Sequence, residues 1–132
     1  MSGPESAARF VRWLETGEDP GDLFAPEAFG DLSMPHWRVQ AGNAKELVAL
    51  RTTSHPWTGK VTVERLEPTE RGWVLQFVER WTDDKGARWY CREMIRADVE
   101  DGSITDVAIS CTGDWDEATV RRHAAEVELL RP

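Results

Sequence analysis

Glu79 and Glu93 are the residues of this sequence best placed for acid/base chemistry. Glu79 lies in the segment 73–81, Trp-Val-Leu-Gln-Phe-Val-Glu-Arg-Trp, which is typical of a β-strand. Because successive side chains of a strand point to opposite faces, Glu79 shares one face with large apolar side chains. These neighbours are Trp73, Leu75, Phe77 and Trp81. The sequence therefore predicts a carboxyl group on an apolar wall.

A hairpin is predicted to bring Glu93 next to Glu79. The residues 83–86, Asp-Asp-Lys-Gly, are typical of a three-residue loop closed by a glycine in the left-handed region. Pairing Asp83 with Ala87 sets the register of the two strands. The resulting partners are Trp81 with Trp89, Glu79 with Cys91, Phe77 with Glu93 and Leu75 with Ile95. Glu93 then lies diagonally across from Glu79.

Burying two carboxyl groups on one apolar wall costs free energy unless they form ion pairs, are protonated or take part in catalysis. As a catalytic pair, one acid would have a raised pKa and donate a proton, while the other would act as a base. The structural alternative pairs the glutamates with Arg65 or another basic residue at the barrel mouth.

Other candidate residues surround this pair. His36 follows Pro35 and would be the natural general base if it points into the pocket, because histidine titrates near neutral pH. His55 is predicted to be a loop residue, and Asp114 the cap of the last helix. The predicted substrate-binding residues are Trp37, Trp73, Phe77, Trp81, Trp89 and Cys91.

The composition limits the classes of function. The chain of 132 residues fits a single domain, residues 1–132, and its net charge of −8 disfavours binding to nucleic acid or to an anionic membrane. No signal peptide or membrane span is recognised, so we expect a cytoplasmic protein. Cys91 and Cys111 are expected to be reduced, and the histidines lack metal-ligand spacing. We therefore expect neither a metal nor a cofactor.

The remaining pattern predicts mixed α and β structure. A first helix with Ser2 as its cap ends before Gly17, residues 18–35 form a lid of short helical turns, and a helix capped by Asn43 runs to about Thr52. Strands are predicted at 60–67, 72–82, 87–98 and 104–111, followed by a helix from Asp114 to about Leu130.

A second hairpin at residues 99–103 is predicted to repeat the three-residue loop, with Val99 opposite Ser103. This register places Cys91 opposite Cys111 and brings Arg96 to Asp106. A two-residue turn is rejected because it would turn Asp106 inward and Ile109 outward.

Several segments resemble the nuclear transport factor 2-like superfamily, in its SnoaL-like and ketosteroid-isomerase-like branch. They are residues 10–14 (FVRWL), 23–31 (LFAPEAFGD), Gly42 and 99–104 (VEDGSI). The resemblance implies an α+β fold: a conical, curved, mostly antiparallel sheet wrapped around N-terminal helices, with a C-terminal helix. It also implies a deep apolar pocket and, in many members, a homodimer across the outer sheet face. Members isomerise steroids, cyclise polyketides, dehydrate substrates or open epoxides, and others only bind or scaffold.

The active-site residues known from two branches of this family match this sequence only in part. The segment Glu79-Arg80-Trp81-Thr82 resembles the acid and arginine element of limonene epoxide hydrolases, but Thr82 replaces an aspartate and Arg80 is predicted to face outward. The single tyrosine, Tyr90, is predicted on the outer face, so it cannot supply the tyrosine of a ketosteroid isomerase.

We therefore expect a pocket enzyme, an isomerase, cyclase or lyase, that performs metal-free acid/base chemistry on a largely apolar polyketide- or terpene-like metabolite. Glu79 and Glu93 would exchange the proton, and His36 would assist. One alternative is a non-catalytic ligand-binding or dimeric assembly module of the same fold. Another is a protein whose pocket is filled by its own side chains.

Overall fold

A computed structural model describes residues 3–132 of the chain. Its helices are α1 (Gly3–Thr16), α2 (Ala44–Ser54) and α3 (Glu117–Glu126). Its strands are β1 (Phe24–Met34), β2 (Trp37–Ala41), β3 (Gly59–Pro68), β4 (Gly72–Thr82), β5 (Arg88–Glu100), β6 (Ser103–Cys111) and β7 (Trp115–Asp116). The predicted helix cap at Ser2 lies outside the described residues.

The strands form one curved sheet in the order β2-β1-β6-β5-β4-β3, with β7 paired to β5. All pairs are antiparallel except β1 with β6. Helices α1 and α2 pack against the sheet, and the core between them includes Phe10, Leu14, Leu47, Trp73, Phe77 and Ile95. The predicted α+β architecture is confirmed. Within residues 3–132, no helix has the length and apolar character needed to cross a membrane.

The β4–β5 hairpin has the predicted register. Gly86 adopts a φ of 79°, Asp83 N donates to the Ala87 carbonyl over 2.9 Å, and the strands pair as predicted. The inner-face partners are Leu75 with Ile95, Phe77 with Glu93, Glu79 with Cys91 and Trp81 with Trp89. Local turn chemistry therefore fixes the positions of both glutamates on the inner face.

The second hairpin differs from the prediction. It closes through the rejected two-residue turn, in which Asp101 has a φ of 51° and Gly102 a φ of 83°. Both central residues have positive φ, as the twist of a tight hairpin requires. The prediction was wrong because it assumed a ladder without irregularities. A bulge shifts the register after Asp98, and Thr105 becomes the extra residue on β6.

The bulge restores the apolar inner face that the two-residue turn alone would have lost. Ile109 lies opposite Ile95, and Cys111 lies opposite Glu93 rather than opposite Cys91. Both cysteines still face the interior as predicted. On the outer face, Arg96 Nη2 donates to Asp106 Oδ1 over 2.8 Å, which confirms that predicted contact.

The predicted helical lid is wrong for most of its length. Residues 24–34 form the long strand β1, held between β2 and the parallel partner β6. Proline and glycine suggested broken helical turns, but Pro26 lies where the pairing with β6 is interrupted between Phe24 and Phe29. The interruption accommodates a residue without a backbone N–H.

Helix α2 begins as predicted, with reciprocal capping. Asn43 Oδ1 accepts from Glu46 N over 2.9 Å, and Glu46 Oε2 accepts from Gly42 N over 2.8 Å. In contrast, α3 is capped by Asp116 rather than by Asp114, and none of the helix's residues is buried. Asp114 is thereby available for another role.

The backbones of β4 and β5 approach each other closely at Gly72. A Cβ atom at this position would lie 2.1 Å from the carbonyl oxygen of Ala97. We expect Gly72→Ala to lower the free energy of unfolding by about 1–3 kcal/mol, the usual cost of overpacking, in urea denaturation. The control is Gly42→Ala, because its added Cβ would lie 3.5 Å from its nearest neighbour, Glu46 Oε2. Equal losses in both variants would contradict the close approach.

Candidate functional site

A small enclosed pocket of about 90 Å³ lies between the two N-terminal helices and the inner face of the sheet. Its apolar wall includes Phe10, Leu14, Leu47, Phe77, Ile95 and Ile109. Its polar lining comprises Arg51, Ser33, Ser54, His55, Glu93 and Asp114, with the thiols of Cys91 and Cys111. The curved sheet thus presents one carboxylic acid and two thiols to a largely apolar space.

Glu79 is buried beneath this pocket in an ion pair with Arg51. The guanidinium donates from Nη1 to Glu79 Oε1 over 3.0 Å and from Nη2 to Oε2 over 2.8 Å. Arg51 Nη2 also donates to the Leu14 carbonyl over 3.2 Å. The structural alternative allowed Arg65 or another basic residue. Arg65 instead forms an exposed pair with Glu67, and the basic residue that pairs with Glu79 is Arg51.

The pKa values of the two glutamates are shifted in opposite directions. Burial alone would raise the pKa of Glu79, but the Arg51 hydrogen bonds and a hydrogen bond from Glu93 hold it below the ordinary value. The pKa of Glu93 lies well above its ordinary value because of burial, the hydrogen bond to Glu79 and the charge of Glu79. Arg51 opposes this rise without cancelling it. These opposite shifts favour an ionised Glu79 beside a protonated Glu93.

The two thiols adjoin Glu93. Cys91 Sγ lies 3.6 Å from Glu93 Oε2, and Gly113 N donates to Cys111 Sγ over 3.4 Å. The hydrogen bond between the thiols raises the pKa of Cys91, as does burial, and lowers that of Cys111. One ligand atom from each of Cys91, Glu93 and Cys111 lies within 4.8 Å of the others. This set has three donors, one fewer than a structural zinc site usually takes.

His55 lies at the outer end of the pocket and carries two unused polar atoms. Both ring nitrogens are buried without a hydrogen-bond partner among the described residues, while the ring packs 4.1 Å from that of Trp81. Burial, followed by the charge of Arg51, lowers the pKa of His55 despite the opposing effects of Glu79 and Asp114. The imidazole is therefore neutral and able to accept a proton at neutral pH.

Asp114 lies beside His55 at the same end of the pocket. The residue as a whole is exposed, yet its carboxyl group faces the pocket, and this partial burial raises its pKa. The charge of Glu79 acts in the same direction, whereas His55 and Arg51 oppose it. The site thus combines acids in different electrostatic surroundings with a neutral imidazole.

The predicted roles of His36 and Trp37 do not fit their positions. His36 occupies the exposed turn between β1 and β2 with a φ of 62°, and Trp37 begins the edge strand with 70% of its surface exposed. Neither residue lines the pocket. The error follows from the predicted lid, because a hairpin tip at the sheet edge replaces the helical segment that would have carried His36 inward.

The predicted aromatic lining divides into three groups. Phe77 lines the pocket together with Cys91 and Glu93. Trp73 is 1% exposed and belongs to the core, where its Nε1 donates to Ser6 Oγ over 2.8 Å. Trp81 and Trp89 line a neighbouring cleft outside the pocket. Glu79 is buried and does not line the pocket. It influences the pocket only through Arg51 and Glu93, which contact it and do line the pocket.

Sequence reasoning missed Arg51, His55 and Asp114. A signal for two of them was present, because Leu47, Arg51 and His55 follow one another at intervals of four residues. Residues at this spacing lie on the same face of a helix, so the buried face that carries Leu47 also carries Arg51. Asp114 gave no such signal, since its position depends on the loop that follows β6.

Solved structures with the same arrangement of elements were found by structural comparison. IdmH from Streptomyces antibioticus, a provisionally assigned polyketide cyclase, superposes with a TM-score of 0.69 at 14% identity, covering 95% of this chain and 99% of that one. An epoxide hydrolase from M. tuberculosis resembling limonene epoxide hydrolase gives 0.67 at 11% identity, covering 93% and 92%. The Δ5-3-ketosteroid isomerase of a Mycobacterium species gives 0.65 at 20% identity, covering 90% and 97%.

The shared architecture covers nearly the whole chain. This protein has the nuclear transport factor 2-like fold. At these identities the similarity shows the fold alone, and activity has to be argued from the residues of the site. No protein-family model matches the sequence, and no curated protein matches it either.

The buried ion pair of this NTF2-like domain can be tested by removing its cation. We expect Arg51→Met to cost about 3–5 kcal/mol at neutral pH, because Glu79 would keep a buried charge without its partner. Without Arg51, the folded-state pKa of Glu79 should rise above its unfolded value. The penalty should therefore be fully expressed at neutral pH and shrink as the pH falls and Glu79 becomes protonated.

The matched control is Arg65→Met, which removes an exposed arginine from its pair with Glu67. This change should cost less than about 1 kcal/mol. Urea denaturation at pH 7 and pH 5 measures both effects. Equal penalties in the two variants would show that the Arg51–Glu79 pair is not structurally important.

Proposed function

We propose that this protein is a small-molecule isomerase or cyclase that binds a largely apolar carbonyl compound and moves protons with its own side chains. Glu93 serves as the general acid, and His55 serves as the general base. Glu79 and Arg51 are positioning residues, because their ion pair sets the protonation of Glu93. Arg51 lines the pocket, whereas Glu79 does not. The fold, shared with an isomerase and a provisionally assigned cyclase, supports this class of reaction.

The observation that carries the proposal is the position of the Glu93 carboxyl group, which lines the pocket beside the buried Glu79. An ionised Glu79 beside it and the apolar surroundings favour the neutral acid. Such a group can donate a hydrogen bond, and then a proton, to a carbonyl oxygen at neutral pH. The unpartnered nitrogens of His55, in the same pocket, provide a neutral base.

The proposed elementary step is enolisation. A nitrogen of His55 takes a proton from the carbon next to the substrate carbonyl, and the electron pair of that C–H bond forms the C=C bond of an enol. The carbonyl π electrons move to oxygen, which receives the proton of Glu93. Glu93 is then a carboxylate beside the ionised Glu79, and this repulsion favours its reprotonation.

The fate of the enol defines the reaction within this class. Return of the proton to another carbon isomerises the substrate, attack of the enol on a second carbonyl closes a ring, and loss of a β-hydroxyl group dehydrates it. A polyketide- or terpene-like metabolite supplies such carbonyl and alkene groups. We place the reaction in the cytoplasm, consistent with reduced thiols at Cys91 and Cys111.

A direct test follows the exchange of the α-hydrogens of cyclohexanone for deuterium in D₂O by proton NMR. Glu93→Gln keeps a neutral side chain of similar shape but cannot transfer a proton, so we expect exchange to slow at least about a hundredfold. His55→Asn should slow it comparably. Asp101→Asn changes an exposed turn residue and serves as a control. Unchanged exchange in Glu93→Gln would remove the acid assignment, and loss of wild-type exchange with EDTA would assign the step to a metal.

The pH dependence provides a second readout of the same experiment. The rate should rise with pH as His55 loses its proton, and this should happen at a pH below the ordinary pKa of histidine. The charged groups that face His55 are Arg51, Glu79 and Asp114. At higher pH the rate should fall as Glu93 loses its proton, and this should happen at a pH above the ordinary pKa of glutamate. Glu79→Gln should shift the Glu93 limb to lower pH, because it removes the neighbouring charge. Glu93 also faces Arg51, Cys91 and Cys111.

A dimeric assembly role is the second candidate, and one feature of the outer sheet face favours it. Met94 is 49% exposed between Arg92 and Arg96, whose guanidinium groups pair within the chain with Glu64, Asp98 and Asp106. An exposed apolar centre with a charged rim is typical of protein interfaces. We propose that this face joins two copies of the chain.

Sedimentation analysis tests the dimer. The wild type should sediment as a dimer at micromolar concentration, and Met94→Glu should weaken association by about tenfold or more, since it places a charge at the centre of the interface. Leu130→Glu is the control, because Leu130 is 94% exposed and lies beyond α3. A monomeric wild type would rule out this interface.

A further inference from the structure

A second cavity of about 270 Å³ adjoins the enclosed pocket. It lies between the loop after α2, the tip of the β4–β5 hairpin and the loop after β6. The two cavities share Ser54, His55 and Asp114 in their linings. We name this second cavity the mouth cleft, with walls formed by Trp57, Trp81, Trp89, Asp83, Asp84 and Asp114. These three residues therefore lie between the pocket and the mouth cleft.

The walls of the mouth cleft combine indole rings with carboxylates. Asp83 is held in place, since its Oδ2 accepts from Trp89 Nε1 over 3.0 Å and its Oδ1 accepts from the backbone of Lys85 and Ala87. The Trp89 hydrogen bond is the main reason that the pKa of Asp83 lies below its ordinary value. Aromatic faces attract cations, and tryptophan does so best.

The charges around the mouth cleft favour the same kind of ligand. Three aspartates face one ammonium group, that of Lys85, and His55 is neutral. The whole chain carries a net charge of −8. A cation is attracted to such a cleft and an anion is repelled. A metal ion would use only the carboxylates of the cleft, whereas a bulky alkylammonium group can contact both the rings and the carboxylates.

We propose that the mouth cleft binds an organic ammonium group, and that the substrate carries this cation beyond the carbonyl group that reacts in the pocket. The binding of an ammonium group is inferred from the mouth cleft alone. The assignment of that group to the substrate rests on the proposed function. The substrate class is therefore an amino or alkylammonium carbonyl compound. Its neutral end reaches Glu93, and its charged end remains between the tryptophans.

Choline and its uncharged isostere 3,3-dimethylbutan-1-ol provide a matched pair of probes. Both have the same size and shape, but only choline carries a positive charge. We expect choline to bind the wild-type protein at least about tenfold more tightly, measured by calorimetry and by quenching of tryptophan fluorescence. Equal affinities, or no binding of choline up to about 100 mM, would overturn the proposal.

Variants of the cleft locate the bound cation. Asp84→Asn removes one exposed carboxylate, and Trp57→Leu removes an aromatic wall, so each should weaken choline binding severalfold. Asp101→Asn removes the same charge from a turn outside the cleft and should have no effect. If Trp57→Leu fails to fold, Asp84→Asn decides the result. An equal loss in Asp84→Asn and Asp101→Asn would show non-specific attraction and contradict the site.

The experiment separates this inference from the proposed function. Cyclohexanone is uncharged and small, so its deuterium exchange tests the acid/base residues of the pocket, whereas choline binding tests the mouth cleft. Exchange without choline binding would overturn the cation site alone. Choline binding without exchange would overturn the proposed acid/base function and the assignment of a reacting carbonyl group, but it would support the cation site.

Discussion

The buried ion pair between Arg51 and Glu79 is the interaction on which the arrangement of the site depends. One guanidinium group connects three elements, because it bonds to Glu79 in β4, extends from α2 and donates to the Leu14 carbonyl in α1. A buried ion pair seldom adds more stability than apolar packing would. Its distinctive contribution here is geometric and electrostatic: it fixes where both helices meet the sheet and keeps a negative charge beneath the pocket.

That retained charge gives two identical side chains different chemistry. Glu79 and Glu93 lie on adjacent strands of the same sheet face, but only Glu79 contacts Arg51 directly through hydrogen bonds. Glu93 meets the charge of Glu79 without an ion-pair partner of its own, and its pKa is therefore raised. The protonation pattern thus follows from the position of one arginine on α2, four residues after the buried Leu47.

The sequence was sufficient wherever local signals determine structure. The loop 83–86 and the alternation of strand residues predicted the β4–β5 register and therefore the contact between Glu79 and Glu93. Predictions failed for two different reasons. The strand β1 exists because it pairs with β6 far along the chain. Within the local β5–β6 hairpin, the bulge at Thr105 compensates for a turn that looked incompatible with an apolar inner face.

The candidate base illustrates a different limit of sequence reasoning. His36 seemed suitable because of its residue type and its place in a supposed lid, whereas His55 seemed to be an ordinary residue before a proline. The four-residue spacing that follows the buried Leu47 of α2 applies equally to polar residues. This spacing assigns Arg51 and His55 to the same side as Leu47.

The sizes of the two cavities constrain any substrate. The pocket that contains Glu93 has a volume of about 90 Å³, which is well below the several hundred Å³ typical of sites that enclose drug-sized ligands. A rigid polycyclic molecule cannot lie wholly inside it. The adjoining mouth cleft of about 270 Å³ gives the rest of an extended molecule a place to bind. The geometry therefore favours a substrate that inserts one reactive end past His55, so that specificity for the remainder lies with the residues of the mouth cleft rather than with those that move protons.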